Sequence, residues 1–192
     1  LINLKENEIN QVFYNKIIPT INSLDELKKF YELSKSLNPI PKVTLHFDTG
    51  INRLGIEEKE TNQVIEYCKK FQIQVFCVMS HFASADEKDN HFNNEQNLKF
   101  KKIIKDFPNA IHSIANSHAI INLNKIEYNL VRTGGCVFGT IETKPFKNIV
   151  ELYAKILQIK FIDNSKQSFG YNQTFQSKQK KKKGEEGSRT TI

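Results

Sequence analysis

The sequence IQVFCVMSH, at residues 73–81, decides the fold class of this chain. It is a nearly unbroken apolar run that ends in two polar residues, and VTLHFDTG at 43–50 has the same form. Strands with so little polar alternation are typical of a parallel sheet that is buried on both faces. Apolar residues at helical spacing separate these runs, so the pattern predicts βαβ units of the α/β class.

The same pattern predicts four or five strand–helix units. One helix is predicted to begin at Ser23, with Glu26 three residues on as in a capping box. Further helices are predicted over 58–71 and 93–107, and further strands over 16–21, 110–114 and 126–131. A complete (β/α)8 barrel needs about 250 residues. The sequence of 192 residues therefore predicts a partial barrel of the TIM type.

Composition divides the chain into three parts. Residues 1–148 carry the βα pattern of the partial barrel, and residues 149–175 change to alternation with β-branched residues, which predicts the start of an all-β domain. Residues 176–192 hold six lysine or arginine residues and two glutamates among Gln, Ser and Gly. That composition predicts a disordered, lysine-rich tail.

Composition also excludes several classes of protein. The chain is 39% hydrophobic with a mean hydropathy of −0.49, and it has no run of about 18 apolar residues that would cross a membrane. No secretory signal is visible, and three cysteines without a C-x-x-C pair predict reduced thiols in the cytoplasm and no metal site. The chain begins with Leu1, which leads us to expect a missing upstream segment.

Residues capable of binding or catalysis follow the predicted strands, where the loops of a barrel form its functional face. Arg53 lies between Gly50 and Gly55, two glycines that we expect to let the backbone approach a small anionic ligand. Its guanidinium is suited to a carboxylate or a phenolate. The alternative is a solvated arginine in a surface turn. His81 is placed to orient a neighbouring base or arginine, and the alternative is a structural histidine.

A second group of candidates lies further along the chain. Asn116 and Ser117 follow one predicted strand, and Gly134 and Gly135 follow another directly after Arg132. A serine hydroxyl and glycine amides at strand ends suit a phosphate group. The two glycines alone are equally compatible with a tight turn.

The order of these segments is more specific evidence for a family than any one segment. DTGINRLG, SHFASAD, ANS and VRTGG, in that order on a βα repeat, resemble the alanine racemases, fold-type III enzymes that use pyridoxal 5′-phosphate (PLP). The similarity runs from about Tyr14 to Phe175 and includes GYNQTF, which is similar to the first hairpin of the family's β domain. It implies a PLP-binding barrel, interconversion of L- and D-alanine that supplies D-alanine for peptidoglycan, and a homodimer or a complementing fragment as partner.

The resemblance also implies roles for individual residues. Arg53 matches the arginine associated with the substrate carboxylate and the cofactor's phenolic oxygen, and Arg132 matches the one that hydrogen-bonds the pyridine nitrogen. His81 matches the imidazole that supports this arginine and the tyrosine base, and we place it with the catalytic machinery. The positions that match the phosphate site are Asn116, Ser117, Gly134 and Gly135.

Three departures from the family pattern affect the expected activity. The sequence contains neither the Lys-Ala-Asn-Ala-Tyr-Gly motif of the Schiff-base lysine nor the Gly-Tyr-Ala-Asp-Gly-like motif of the tyrosine base. His46 stands where many relatives have a carbamylated lysine, although a neutral imidazole can still hydrogen-bond Arg53. We therefore expect a truncated or split racemase that is close to inactive by itself.

Other functions remain as alternatives. One alternative keeps the PLP-binding barrel but makes the protein another amino-acid racemase or a non-catalytic PLP-binding remnant. A basic module that binds nucleic acid through residues 178–183 is a further alternative, but the tail has no interleaved aromatic residues for base stacking. We accordingly expect neither a nucleic acid nor a membrane as partner.

Overall fold

The structure, a computed structural model, describes residues 8–123, 127–141, 147, 149, 151, 153–158, 168–169 and 175–176. The chain divides into two units, Leu1–Val150 and Glu151–Ile192. The first unit contains a parallel sheet with helices, and the second contains a short antiparallel pair of strands. No helix among these described residues is long and apolar enough to cross a membrane.

The first unit is a run of consecutive βα units. Its strands are β1 (Thr20–Ile21), β2 (Val43–His46), β3 (Val75–Met79) and β4 (Ile111–Ser113). Its helices are α1 (Ile9–Tyr14), α2 (Leu24–Ser34), α3 (Thr61–Lys70), α4 (His91–Ile104), α5 (Ser117–Asn122) and α6 (Gly135–Phe138). The four strands pair in chain order and all pairs are parallel. This topology confirms the predicted α/β class, with α2, α3 and α4 connecting successive strands.

Several element boundaries differ from the sequence prediction, since β1 is limited to Thr20–Ile21 and α4 spans His91–Ile104. α3 begins at Thr61 because a 3-10 turn over Glu58–Glu60 precedes it. The strand predicted over 126–131 is not formed as a regular strand within 127–131. Two hydrogen bonds nevertheless align this segment parallel to β4, from Leu130 N to His112 O (3.2 Å) and from Arg132 N to Ala115 O (3.0 Å).

The core lies between the sheet and the helices that cover it. Apolar residues of α2 and α3 pack with residues of β2 and β3 that are fully or almost fully buried, among them Leu27, Phe30, Val64, Leu45 and Val78. All four residues of β2 are buried, as the unbroken apolar run predicts. Burying a side chain of this size contributes about 1.5–3 kcal/mol, so this layer holds the strand ends in place.

The second unit contains β5 (Ser168–Phe169) and β6 (Phe175–Gln176). The two strands are antiparallel, with Phe169 opposite Phe175. Residues 153–158, where the alternating pattern falls, form no regular element. The lysine-rich segment 177–192 lies outside the described residues, so the predicted disorder of the tail stays a prediction.

The start of α2 shows how a local signal sets an element. The Ser23 hydroxyl accepts a hydrogen bond from Glu26 N at 3.1 Å, as predicted for an N-cap. The Glu26 carboxylate does not close the expected capping box on Ser23. It accepts instead from the backbone N–H of Asn22 (2.6 Å) and from the Asn22 side chain (3.3 Å), one residue earlier.

Replacing the cap should destabilise the chain without changing its fold. We expect Ser23→Ala to lower the free energy of unfolding by about 1 kcal/mol, because one amide of the first turn loses its acceptor. Urea denaturation followed by far-UV circular dichroism measures the change. Ser36→Ala, at an exposed serine beyond the end of α2, is the matched control and should shift the midpoint little. Equal effects of the two substitutions would contradict the capping role.

Candidate functional site

The carboxyl ends of β2, β3 and β4 meet at one edge of the sheet. His46 pairs with Met79, and Met79 pairs with Ser113, so the three strands end at the same level. The loops that follow carry the polar segments found in the sequence. The topology therefore brings together the segments beginning at Asp48, Ser80 and Asn116, as a parallel barrel requires.

The guanidinium of Arg132 joins the ends of β3 and β4. Its Nη1 donates to the carbonyl oxygen of Ser113 (3.1 Å) and to the Ser113 hydroxyl. Its Nη2 donates to the carbonyl oxygen of Ser80 and lies 3.2 Å from Nδ1 of His81. Four of the five N–H donors of this side chain thus have partners among the described residues, and the donor that remains is at Nε.

His81 lies between Arg132 and Asn116, and these neighbours fix its protonation. Arginine can only donate, so Nδ1 of His81 accepts from Arg132 and the ring proton is on Nε2. The side-chain oxygen of Asn116 accepts from Ala119 N (3.0 Å), which turns its Nδ2 towards Phe82 O (3.3 Å) and Nε2 of His81 (3.3 Å). Because a second ring proton would have to go on Nδ1 and would displace the bond from Arg132, it is disfavoured.

The hydroxyl of Ser117 orders the Gly134–Gly135 turn. It accepts from the backbone N–H of Gly134 (3.0 Å) and of Cys136 (3.4 Å). Gly134 has no heavy atom within 4 Å of the position where a Cβ would stand, so its backbone is open to an approaching group. A Cβ on Gly135 would instead meet the Ile141 side chain at 2.7 Å. The predicted residues 116, 117, 134 and 135 are thus gathered beside Arg132.

The loop that carries Arg53 is shaped by its own backbone. The Asp48 carboxylate accepts from Gly50 N (2.8 Å) and Asn52 N (3.2 Å). Gly55 has φ +130°, and a Cβ there would meet Asp48 N at 2.7 Å. We expected the glycines to admit a ligand to the backbone, but Gly55 admits the returning chain and Gly50 faces the Phe92 ring. Arg53 itself is exposed at the tip.

His46 has a partner that the sequence did not predict. Its Nδ1 lies 2.9 Å from Oδ1 of Asn22, at the end of β1. Since Nδ2 of Asn22 donates to Glu26, Oδ1 must accept and His46 carries its proton on Nδ1. The hydrogen bond that the structure gives His46 is therefore with Asn22, rather than with Arg53.

The electrostatics of the site keep both histidines neutral. The pKa of His46 is lowered to about 4, and burial is the main cause. The positive charge of Arg132 contributes next, His81 and Arg53 contribute less, and the Asp48 carboxylate opposes the shift. Burial, Arg132 and Arg53, in that order, also lower the pKa of His81. Both guanidinium groups therefore lower the pKa of the same two imidazoles.

Sequence reasoning missed several polar residues that build this edge. Three of them are buried hydroxyl or amide side chains in the loops and in α4, namely Thr49, Ser80 and Gln96, and a fourth is Ser113 in β4. The sequence signal that could have identified such residues is a polar residue at the end of an apolar strand, as Ser80 is before His81. Nothing in a helical pattern distinguishes Gln96 from an exposed glutamine.

A cavity lies beside this edge. It has a volume of about 340 Å³ and is lined by residues that include Phe82, Asn93, Ala115 and Tyr128. Arg53 and Arg132 do not line it.

The lowered pKa of His46 predicts a pH-dependent stability. The imidazole has a pKa near 6.5 in the unfolded chain and of about 4 in the folded chain. Between these pH values the unfolded chain therefore binds one proton more than the folded chain. Stability should therefore be retained above pH 6.5 and fall by up to roughly 3 kcal/mol between pH 6.5 and pH 4. Urea denaturation at a series of pH values measures this loss.

His46→Gln isolates the contribution of this one group. Glutamine can still donate to Asn22 but does not titrate, so the variant should lose less stability than the unsubstituted chain over the same pH range. His91→Gln, at an exposed histidine, should leave the pH dependence unchanged. A pH dependence that is the same for His46→Gln and the unsubstituted chain would refute the assignment.

Comparison with known proteins identifies the family to which this chain is similar. The family described as "Alanine racemase, N-terminal domain" matches residues 1–142. The alanine racemase of Rickettsia bellii is 33% identical over 179 residues, which are 90% of this chain and 43% of that protein. The alanine racemase of Fusobacterium nucleatum is 36% identical over 162 residues, 81% of this chain and 45% of that protein.

Solved structures agree with the sequence comparison. The crystal structure of alanine racemase from Bartonella henselae with covalently bound pyridoxal phosphate has a TM-score of 0.68 at 25% identity, over 76% of this chain and 44% of that one. The chain thus spans less than half the length of these relatives. Its parallel sheet with helices is part of a TIM-barrel-like α/β fold, and the chain belongs to the alanine racemase N-terminal domain family.

Proposed function

We propose that this chain forms the cofactor-binding barrel portion of a PLP-dependent alanine racemase. Alanine racemases are PLP-dependent, and the Bartonella henselae relative carries the cofactor covalently bound. The observation that supports the proposal best is the guanidinium of Arg132, held on four partners at the ends of β3 and β4. The substrate is alanine, and the D-alanine formed would serve peptidoglycan synthesis.

The donor set at Arg132 fits the ring of the cofactor. With the two Nη atoms bound to protein groups, Nε–H is the donor that is left for a pyridine nitrogen. A guanidinium keeps its proton at neutral pH, so the ring nitrogen it binds stays unprotonated. When bound, PLP supplies an electron sink for the α-carbon of an amino acid, and the partnership with Arg132 weakens that sink and favours reversible proton removal over side reactions.

The turn at Gly134 fits the phosphate end of the cofactor. Phosphate groups are bound where backbone N–H groups and hydroxyls converge in an open position. Ser117 holds the Gly134 and Cys136 amides in one turn, and the space in front of Gly134 is open. We assign phosphate binding to Ser117, Gly134 and Gly135, with Asn116 orienting this end.

Arg53 and His81 complete the set of proposed roles. Arg53 lies exposed within electrostatic range of His81 and suits an anionic oxygen, such as the substrate carboxylate or the cofactor phenolate. His81 keeps Arg132 in place through Nδ1. Neutral imidazoles at positions 46 and 81 leave the two arginines as the positive charges that attract such anions.

Completion of the site requires further polypeptide, from a second copy or from a complementing chain. Leu130, Val131, Val137 and Phe138 are between 39% and 61% exposed beside the Arg132 segment. Apolar side chains clustered in this way mark a surface that another segment covers. We place the protein in the cytoplasm, in keeping with its reduced cysteines.

Binding of pyridoxine 5′-phosphate tests the site directly. This vitamer lacks the aldehyde, so it cannot react with surface lysines and reports non-covalent recognition alone. We expect saturable binding by equilibrium dialysis, weakened roughly tenfold to a hundredfold by Arg132→Gln or Ser117→Ala, because each loses a hydrogen bond to a charged or polar group of the ligand.

Lys69→Gln provides a charge-matched control for Arg132→Gln. Lys69 lies in the last turn of α3 and pairs with Asp106 (2.7 Å), at the end of the helix that leads away from the site. It should bind pyridoxine 5′-phosphate as the unsubstituted chain does. The proposal fails if binding is not saturable, or if all three variants keep the same dissociation constant.

The 192 residues taken alone should not racemise alanine at an appreciable rate. General acid–base groups contribute typically 10²–10⁴-fold each, and the sequence has neither the family's lysine motif nor its tyrosine motif. We expect D-alanine formation at the background rate when the purified chain is incubated with L-alanine and PLP. Turnover that resembles that of a full-length racemase, and that persists after repurification, would show that other residues supply both bases.

A further inference from the structure

Gln96 is a fully buried polar residue in the middle of α4 that no role above uses. Its Oε1 accepts from the backbone N–H of Ala83 at 2.9 Å. Its Nε2 donates to the carbonyl oxygen of His81 at 3.0 Å and lies 3.3 Å from the hydroxyl of Thr49. Every one of these partners belongs to a loop at the carboxyl edge of the sheet.

The partners of Gln96 lie in two different loops. His81 and Ala83 follow β3, whereas Thr49 follows β2 and belongs to the loop that carries Arg53. The Thr49 hydroxyl is 2.7 Å from the Ser80 hydroxyl, and both residues are at most 2% exposed. The chain of contacts continues from the Ser80 carbonyl oxygen to Arg132. One carboxamide thus connects the loops of Arg53 and His81 with the anchor of Arg132.

We propose that Gln96 is a positioning residue of the site, whose carboxamide sets the His81 ring against the Arg132 guanidinium and fixes the Arg53 loop relative to both. The functional value of this role rests on the proposed PLP site, but the geometry itself does not depend on a ligand.

The chemistry of the side chain explains why a glutamine is suited to this position. The two loops present one backbone donor, at Ala83, and two acceptors, at His81 and Thr49, to the same buried point. A carboxamide matches that set with one acceptor oxygen and two N–H donors, and it carries no charge. A carboxylate would face the His81 carbonyl without a proton to donate, and an apolar side chain would leave buried groups unpaired, which is costly.

The test measures the pKa of His81 by NMR titration of its ring resonances, in the full chain without cofactor. The ring contacts Arg132 and Asn116, and burial and the positive charges of Arg132 and Arg53 hold its pKa below the ordinary value. In Gln96→Met, which keeps the volume and removes the hydrogen bonds, the ring should move away from Arg132 and towards water. We expect its pKa to rise by roughly half a unit or more.

Phe100→Leu is the matched control on the same helix. Phe100 is fully buried one turn further along α4 and packs against Tyr128 at 5.2 Å between ring centroids. It should lower the stability of the chain without moving the His81 titration. A purely structural role for Gln96 would make the two variants alike, with less stability and the same His81 pKa, and that result would overturn the proposal.

A second variant decides the matter if Gln96→Met does not fold. Thr49→Val removes the hydroxyl that contacts both Gln96 and the Ser80 hydroxyl, and Ser80 supplies the carbonyl oxygen that holds Arg132 beside His81. A raised His81 pKa in Thr49→Val supports the coupling, and an unchanged value in a folded Thr49→Val contradicts it. Since no ligand is added, these outcomes are independent of whether pyridoxine 5′-phosphate binds.

Discussion

The site depends on one interaction, the binding of the Arg132 guanidinium across the ends of β3 and β4. A charged side chain that is partly withdrawn from water requires fixed acceptors, and the carbonyl oxygens of Ser80 and Ser113 provide them. Those acceptors are available only because both strands end at the same level, through the pairing of Met79 with Ser113. The register of the sheet thus determines whether the arginine has a binding place at all.

The histidines follow from this arrangement. An imidazole that accepts from a guanidinium cannot take up a second proton without losing that contact, so His81 is a neutral spacer between Arg132 and Asn116. His46, which donates to Asn22, is neutral chiefly because it is buried at the end of β2. With both rings uncharged, the positive charge of the site resides on Arg53 and Arg132, and the edge is suited to an anionic ligand such as a phosphate, phenolate or carboxylate.

Much of this arrangement could be predicted from the order of the segments. The apolar runs at 43–47 and 73–79 place DTGINRLG and SHFASAD after neighbouring parallel strands, and strand ends in such a sheet lie together. The hydrogen bonds within the site could not be predicted in this way. Gly55 was expected to make room for a ligand, yet it makes room for the backbone at Asp48. A glycine in the sequence indicates that some group approaches the backbone closely, but it does not identify that group.

The sequence by itself determined the α/β class, the positions of the strand ends and the family, since periodicity and motif order are local properties that survive without knowledge of contacts. The tertiary structure alone decided which groups meet: that Gln96 reaches two loops, that His46 binds Asn22, and that both arginines act on the same imidazoles. Those contacts join residues from different βα units, and their distances are set by sheet register and helix packing, which no local pattern encodes.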